Sequence, residues 1–467
     1  MRGWIVSLAL GVITGCSGGV STPTPDVPPP DYLSKEAMLD PASCEECHPA
    51  HFEEWAGSMH AYASLDPVFL AMNARGQRET NGELGKFCVQ CHAPMALALG
   101  LTTDGLNLAE LPSHVQGVTC IFCHTVASVE GAHNAQLTLA DDLVMRGSYI
   151  DPVPNEAHAS GYSALLDRKR IESANLCGSC HDIKTPKGVH LERTFAEWKD
   201  SLFSNEVPGQ QQTCSDCHMK GRDDVAADYE GVFFRQVHSH RMVGVDTALT
   251  PFPDMEAQKK QIEKELKSAV LATLCVKEND EGQGVIAVGL ENLAVGHAWP
   301  SGAAQDRRAW VEIQAFDFEG NVVYESGMVP EGVAMTSIED PNRWRLGDRT
   351  FNEAGDEVHM FWDVDVVESD LLPAPTALNP WEPEWIDVHR RRAVVLDGPK
   401  PDRVTMRVRI RPMGLDVLDD LIESGDLDPV YRDGIPTYTL GFTNLEWYES
   451  EGLECVPEGH IDQAPSM

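Results

Sequence analysis

Positive charge is scarce in this chain of 467 residues: 36 Lys and Arg stand against 73 Asp and Glu, a formal net charge of −37. Phosphate backbones are bound by positive surfaces, so nucleic acid is excluded as a partner. Aromatic residues make up only 7% of the chain, and hydrophobic residues 42%, as in a water-soluble globular protein. The apolar run from Trp4 to Ile13 is too short to span a membrane. Nothing resembles an acid–base or nucleophilic catalytic set. The length suits two domains or three.

What the chain has instead is cysteine followed by histidine. Five times it reads Cys-x-x-Cys-His: Cys44, Cys47, His48; Cys88, Cys91, His92; Cys120, Cys123, His124; Cys177, Cys180, His181; Cys214, Cys217, His218. The composition predicts about 0.01 copies by chance, so the set is a signature. A zinc site needs no histidine after every second cysteine, and a disulfide framework needs no histidine at all. The pattern is that of covalent haem c. Two thiols one turn apart reach the two vinyl groups of a porphyrin, and the next histidine is placed to bind its iron. Five haems c are expected. The first cysteines are 44, 32, 57 and 37 residues apart, too irregular for a repeat array. One haem per few tens of residues leaves little chain for an apolar core, so porphyrins should fill it.

These motifs carry a resemblance. Cys44–Ala61 (CEECHPAHFEEWAGSMHA), Phe87–Met95 (FCVQCHAPM), Gly117–Val126 (GVTCIFCHTV), the run from His158 through Tyr162 to Asp182, and Glu192–Trp198 leading to Cys214–Met219 are similar to the multihaem cytochrome c-552/c-554 family. The likeness covers roughly residues 40–245. It implies closely stacked haems and electron transfer, in a pentahaem c-type cytochrome with a C-terminal β-domain. The wider family also contains oxidoreductases of nitrogen compounds.

Taken in order, residues 1–16 read as an export signal, with Arg2 ahead of the apolar run. The run ends Ile13-Thr14-Gly15-Cys16, which resembles a lipoprotein cleavage box, so Cys16 is expected to carry lipid. Residues 17–39 form a tether rich in Pro, Gly and Ser. Residues 40–250 are expected to be a mainly α-helical and irregular multihaem domain. A charged helix is expected over 256–268. Residues 255–460 are expected to form an all-β, sandwich-like domain, with strands Val270–Lys277, Val285–Glu291, Ala309–Phe318, Val322–Ser326, Met360–Val367, Arg392–Leu396 and Val404–Arg411. Trp299 and Trp381 are read as core. Cys275 and Cys455, left over in an oxidising compartment, are expected to form a disulfide.

The sixth iron ligand decides the chemistry. A second histidine suits electron transfer, and an empty position suits a small molecule. All five motifs end in His. None carries the Lys of the ammonia-forming nitrite reductases. His60, His158 and His240 are the expected distal ligands. His114, His133, His190 and His238 compete for the remaining positions. His51 is read as exposed or as supporting a ligand. His297 could reach across from the β-domain to a haem edge, but the favoured reading is a loop residue orienting its own turn. Met95 and Met219 are read as packing against porphyrin.

The expectation is an exported, lipid-anchored cytochrome, periplasmic or at the cell surface on the outer membrane. It would relay electrons between redox partner proteins through mostly bis-His haems. The alternative is a hydroxylamine- or nitrite-type oxidoreductase with one five-coordinate haem. If the β-domain only docks a partner, removing residues 255–467 should leave the haem spectrum intact.

Overall fold

The computed structural model describes residues 32–457 apart from 206 and 208. Cys16, the export signal and residues 17–31 of the tether lie outside the described residues.

The first half is built from short pieces. Each motif sits on a helix or its edge: Ala42–Glu45, Val89–His92, Cys120–Thr125, Ser173–Cys180 and Cys214–His218. A helical turn is what brings the two cysteines and the histidine of one motif to one side. The longest helix here is α1, Pro67–Glu79. Asp66 caps it by accepting from the Val68 N–H, Pro67 opens it, and Val68, Phe69 and Ala71 form its buried face. Two-stranded ribbons join the helices: Val126–Gly131 with Gln136–Leu139, Met145–Gly147 with Ser160–Tyr162, Ile183–Lys184 with His190–Glu192, and Gly221–Val225 with Phe234–His238. They add strand to the mainly helical half that was expected. The apolar clusters of this half are small, such as Ala174, Phe195 and Trp198. Its cohesion has to come from elsewhere.

Past helix α2, Met255–Leu266, the chain turns to strands. In order they are β1 Leu271–Glu278, β2 Gly284–Glu291, β3 Arg308–Phe316, β4 Val322–Ser326, β5 Trp344–Phe351, β6 Val366–Asp370, β7 His389–Val395, β8 Arg403–Arg411, β9 Tyr438–Thr439, β10 Leu445–Tyr448 and β11 Cys455–Pro457. Helix α3, Leu415–Glu423, follows β8. One sheet runs β7-β2-β1-β11. The other runs β6-β5-β3-β8-β9, with β4 on β3 and β10 on β8. Every pairing in these two sheets is antiparallel. Alternation puts Ala272, Leu274 and Val276 of β1 inward, where they meet Val311 and Val408 of the second sheet in one apolar core. Cys275 lies directly opposite Cys455 in the β1–β11 pairing, and the two form a disulfide.

Two sequence readings need correcting. Met360–Val367 is not one strand. It breaks into a turn, Phe361–Asp363, and β6. Met360 and Trp362 are buried in alternation, but against α1 and α3 rather than a neighbouring strand. Trp381 is 90% exposed and belongs to no core, whereas Trp299 is buried.

The halves interlock. Val68 and Ala71 of α1 share one cluster with Leu415, Leu418 and Leu421 of α3. Arg75 reaches Asp420 at 2.9 Å, and Trp362 donates to Glu79 at 3.1 Å.

Candidate haem sites

None of the ten motif cysteines is in a disulfide. Their side chains nevertheless meet between motifs. Cys44 lies against Cys120, Cys91 against Cys180, and Cys177 against Cys214. Cys123 feels Cys177 and Cys180. The fourth motif therefore adjoins the second, third and fifth, and the first joins through the third.

The motif histidines are oriented from behind. Nδ1 of His48 donates to Ala226 O at 2.7 Å, that of His92 to Ala63 O at 2.9 Å and that of His218 to Val243 O at 2.8 Å. His124 donates likewise to Arg146 O. A proton held on Nδ1 leaves the Nε2 lone pair for a metal. Among the described residues the His181 ring makes no such bond.

Opposite four of the five stands a second histidine ring. The centres are 6.3 Å apart for His48 and His158, 6.0 Å for His60 and His181, 6.4 Å for His124 and His240, and 6.4 Å for His218 and His297. Two imidazoles on one iron need roughly this: about 2.0 Å of metal–nitrogen bond and about 1.1 Å to the ring centre on each side, some 6 Å in all. The residues present therefore fit haem, with thiols, an oriented imidazole and room for an iron between rings. Burial drives the His60 ring down to about 3 and that of His297 to about 4, so both are neutral and able to ligate at ordinary pH. Gly117 makes room for the His60 turn. Its φ is +69°, and a Cβ there would stand 2.6 Å from Ala61 O.

His60, His158 and His240 thus face motif histidines. His297 does too, which corrects its reading as a residue serving only its own turn. It comes from the β half, and no local motif marks it. His51 is half-buried, not exposed. Its ring meets His240 edge-on at 4.7 Å. It lies 6.1 Å from His48 but on the same helix, so it cannot cross to the far side of an iron that His48 binds. His133 bonds Gln136, His190 bonds buried Asp182, and neither His114 nor His238 faces a motif ring.

His92 differs. The Phe69 ring lies flat on it at 4.0 Å, and among the described residues no histidine ring stands opposite. Glu192, also missed from the sequence, lies beside Cys91 of the same motif, and burial pushes its carboxyl up to about 7. Met95 is buried in the cluster of Ile121 and Phe122.

Among the described residues, no helix is long and apolar enough to cross a membrane. Residues 43–125, which hold the first three motifs, match the family model "Cytochrome c554 and c-prime". The fold is similar to that of a penta-heme cytochrome c552 from Thermochromatium tepidum, with TM-score 0.56 and 20% identity, over 87% of this chain and 98% of that one. At that identity the likeness speaks for the fold. No curated protein matches the chain.

Proposed function

We propose that this chain, which both matches support as a multihaem cytochrome of the c-552/c-554 family, carries electrons through five covalently attached haems. The observation that carries the reading is the set of four facing histidine pairs, 6.0 to 6.4 Å between ring centres. When bound, haem supplies the one-electron chemistry. At four of the five motifs the chain holds the histidine's ring proton on Nδ1, and it sets which sites adjoin. Contacts between motif cysteines order the sites first–third–fourth, with the second and fifth branching from the fourth. The fourth site is a junction. Histidines on both faces keep potentials low and leave no place for a substrate. Export and anchoring through Cys16 belong to the same reading, and the Ile13-Thr14-Gly15-Cys16 box supports them. The mass of the mature protein tests both parts. Five added haems and a lipid on Cys16 are expected, and a mass without haem would remove the reading.

A second reading is supported by His92, which among the described residues faces no histidine. Its site would bind and reduce a small nitrogen compound of the nitrite or hydroxylamine type, with the Glu192 carboxyl able to hold a proton near neutral pH. Optical spectra of the oxidised protein should then show one high-spin component that cyanide or nitrite converts. Wholly low-spin spectra, indifferent to both, would leave the relay alone.

A further inference from the structure

Of the nine histidine rings that belong to motifs or face them, seven direct Nδ1 at a backbone carbonyl. For the three other facing rings the acceptors are Ala159 O at 3.2 Å for His158, His238 O at 3.1 Å for His240 and Ala298 O at 2.8 Å for His297. The two exceptions stand opposite each other. His60 directs Nδ1 at the thioether of Met242, 2.8 Å away, and His181 has no hydrogen-bond partner among the described residues. The carboxylate next in sequence, Asp182, is engaged elsewhere, by His190 and by the Ala196 N–H.

Met242 is held where it is by a short strip. His240 faces His124, Met242 touches His60, and Val243 O accepts from His218, so four consecutive residues serve three sites. The strip bends to do so. Met242 has φ of +45°, in the left-handed region that a side chain disfavours.

We propose that Met242 tunes the junction site. By giving His60 a sulfur where the other facing rings have an oxygen, it holds the iron between His60 and His181 at a higher reduction potential than a carbonyl would. The inference rests on the ligation read above. A strong acceptor draws the Nδ1 proton, makes the imidazole a better donor and favours the oxidised iron. A thioether is a weak acceptor and does little of this. Electrons arriving from any neighbour are therefore drawn to the site that adjoins three others. Met242 acts through His60 and is a positioning residue.

The ring planes supply the test. His60 and His181 cross at 70°, whereas the other three pairs lie at 12° to 22°. Crossed imidazoles give a low-spin ferric signal with an unusually large g maximum, separate from those of near-parallel pairs. Its amplitude can be followed in a potentiometric titration of the intact holoprotein. In Met242→Gln an amide oxygen replaces the sulfur, and the midpoint of this signal should fall while the others stay. In Met242→Leu, which keeps the bulk and removes the acceptor, it should stay or rise. An unmoved midpoint in Met242→Gln, a fall in Met242→Leu, or a common shift of all components overturns the role of Met242. If the parent protein shows no large-g signal, the ligation itself is wrong and the proposal goes with it.

Discussion

Arg308, at the start of β3, is 1% exposed, and its guanidinium grips Asp416 of α3 at 2.6 Å. His359 approaches the same carboxylate at 3.5 Å and Asp420 at 3.4 Å. Burial alone would raise the Asp416 carboxyl, but the hydrogen bond from His359 and the charge of Arg308 hold it well below the usual range. The bond to Asp416 raises His359 in turn. A depressed carboxylate stabilises the fold above its unfolded value and loses this as pH falls through the folded one. A raised histidine stabilises below about 6.5 and loses this as pH rises through its folded value. The trio is therefore worth most between about pH 4 and 6.5. Asp416→Asn leaves buried Arg308 without its hydrogen-bonded carboxylate and should cost about 3 kcal/mol, read by denaturant unfolding. Its stability should also decline less as pH rises past His359, since only Asp420 still faces that ring. A decline as steep as the parent's across that range would count against the coupling. The same scale explains which ligands were legible in sequence. The Cys-x-x-Cys-His spacing is local chemistry and names its own residues. His60, His158 and His240 stood out only beside family-like stretches. Nothing within reach of His297 in sequence tells that it faces His218, 79 positions away in numbering yet 6.4 Å in space.

Among elements, strands with apolar alternation were legible and those held by polar contacts were not. β4 falls where it was expected, at Val322–Ser326, and β1, β2, β3 and β8 within a residue or two. β5 (WRLGDRTF) was missed because it carries Arg345, Asp348 and Arg349, which read as surface. In the fold Asp348 is buried and ion-paired to Arg193 of the first half at 2.7 Å. α3 was missed although its apolar residues recur at helical spacing, Leu415, Leu418, Leu421 and Ile422. That face is satisfied by α1, some 340 residues earlier, as the contact from Arg75 to Asp420 shows. At the other edge β11 has only three residues, paired solely to β1. Its place depends on the bridge between Cys275 and Cys455, which closes a separation of 180 residues. Replacing both cysteines by serine should lower stability by about 5 kcal/mol in the chain-entropy view. Hydrogen exchange should rise first in β11 and the facing residues of β1. If β11 stays as protected as β8, the bridge is not what holds the edge.

At the scale of the whole molecule, the two halves are not a cytochrome with an ornament. The β half faces His218 with His297, and its α3 packs on α1, whose Phe69 lies against His92. The expectation that removing residues 255–467 would leave the spectrum intact assumed separable lobes. The interlocked fold argues the reverse. Truncation takes a facing histidine from one site and the support of α1 from another. The point variant separates the two effects. His297→Ala keeps α3 in place and strips only the ring opposite His218, which sits behind a solvent-accessible motif with Cys217 exposed. The full-length variant should therefore gain one high-spin haem beyond that expected at His92, and the new component should bind cyanide. The His60–His181 signal should be unaltered, because Met242 and Val243 remain where they are. The truncated chain should lose more, with the His92 site changing as well. If His297→Ala adds no high-spin component, the fifth site takes its second ligand from elsewhere. If truncation does no more than the point variant, α3 does not support α1, and the halves are as separable as the sequence suggested.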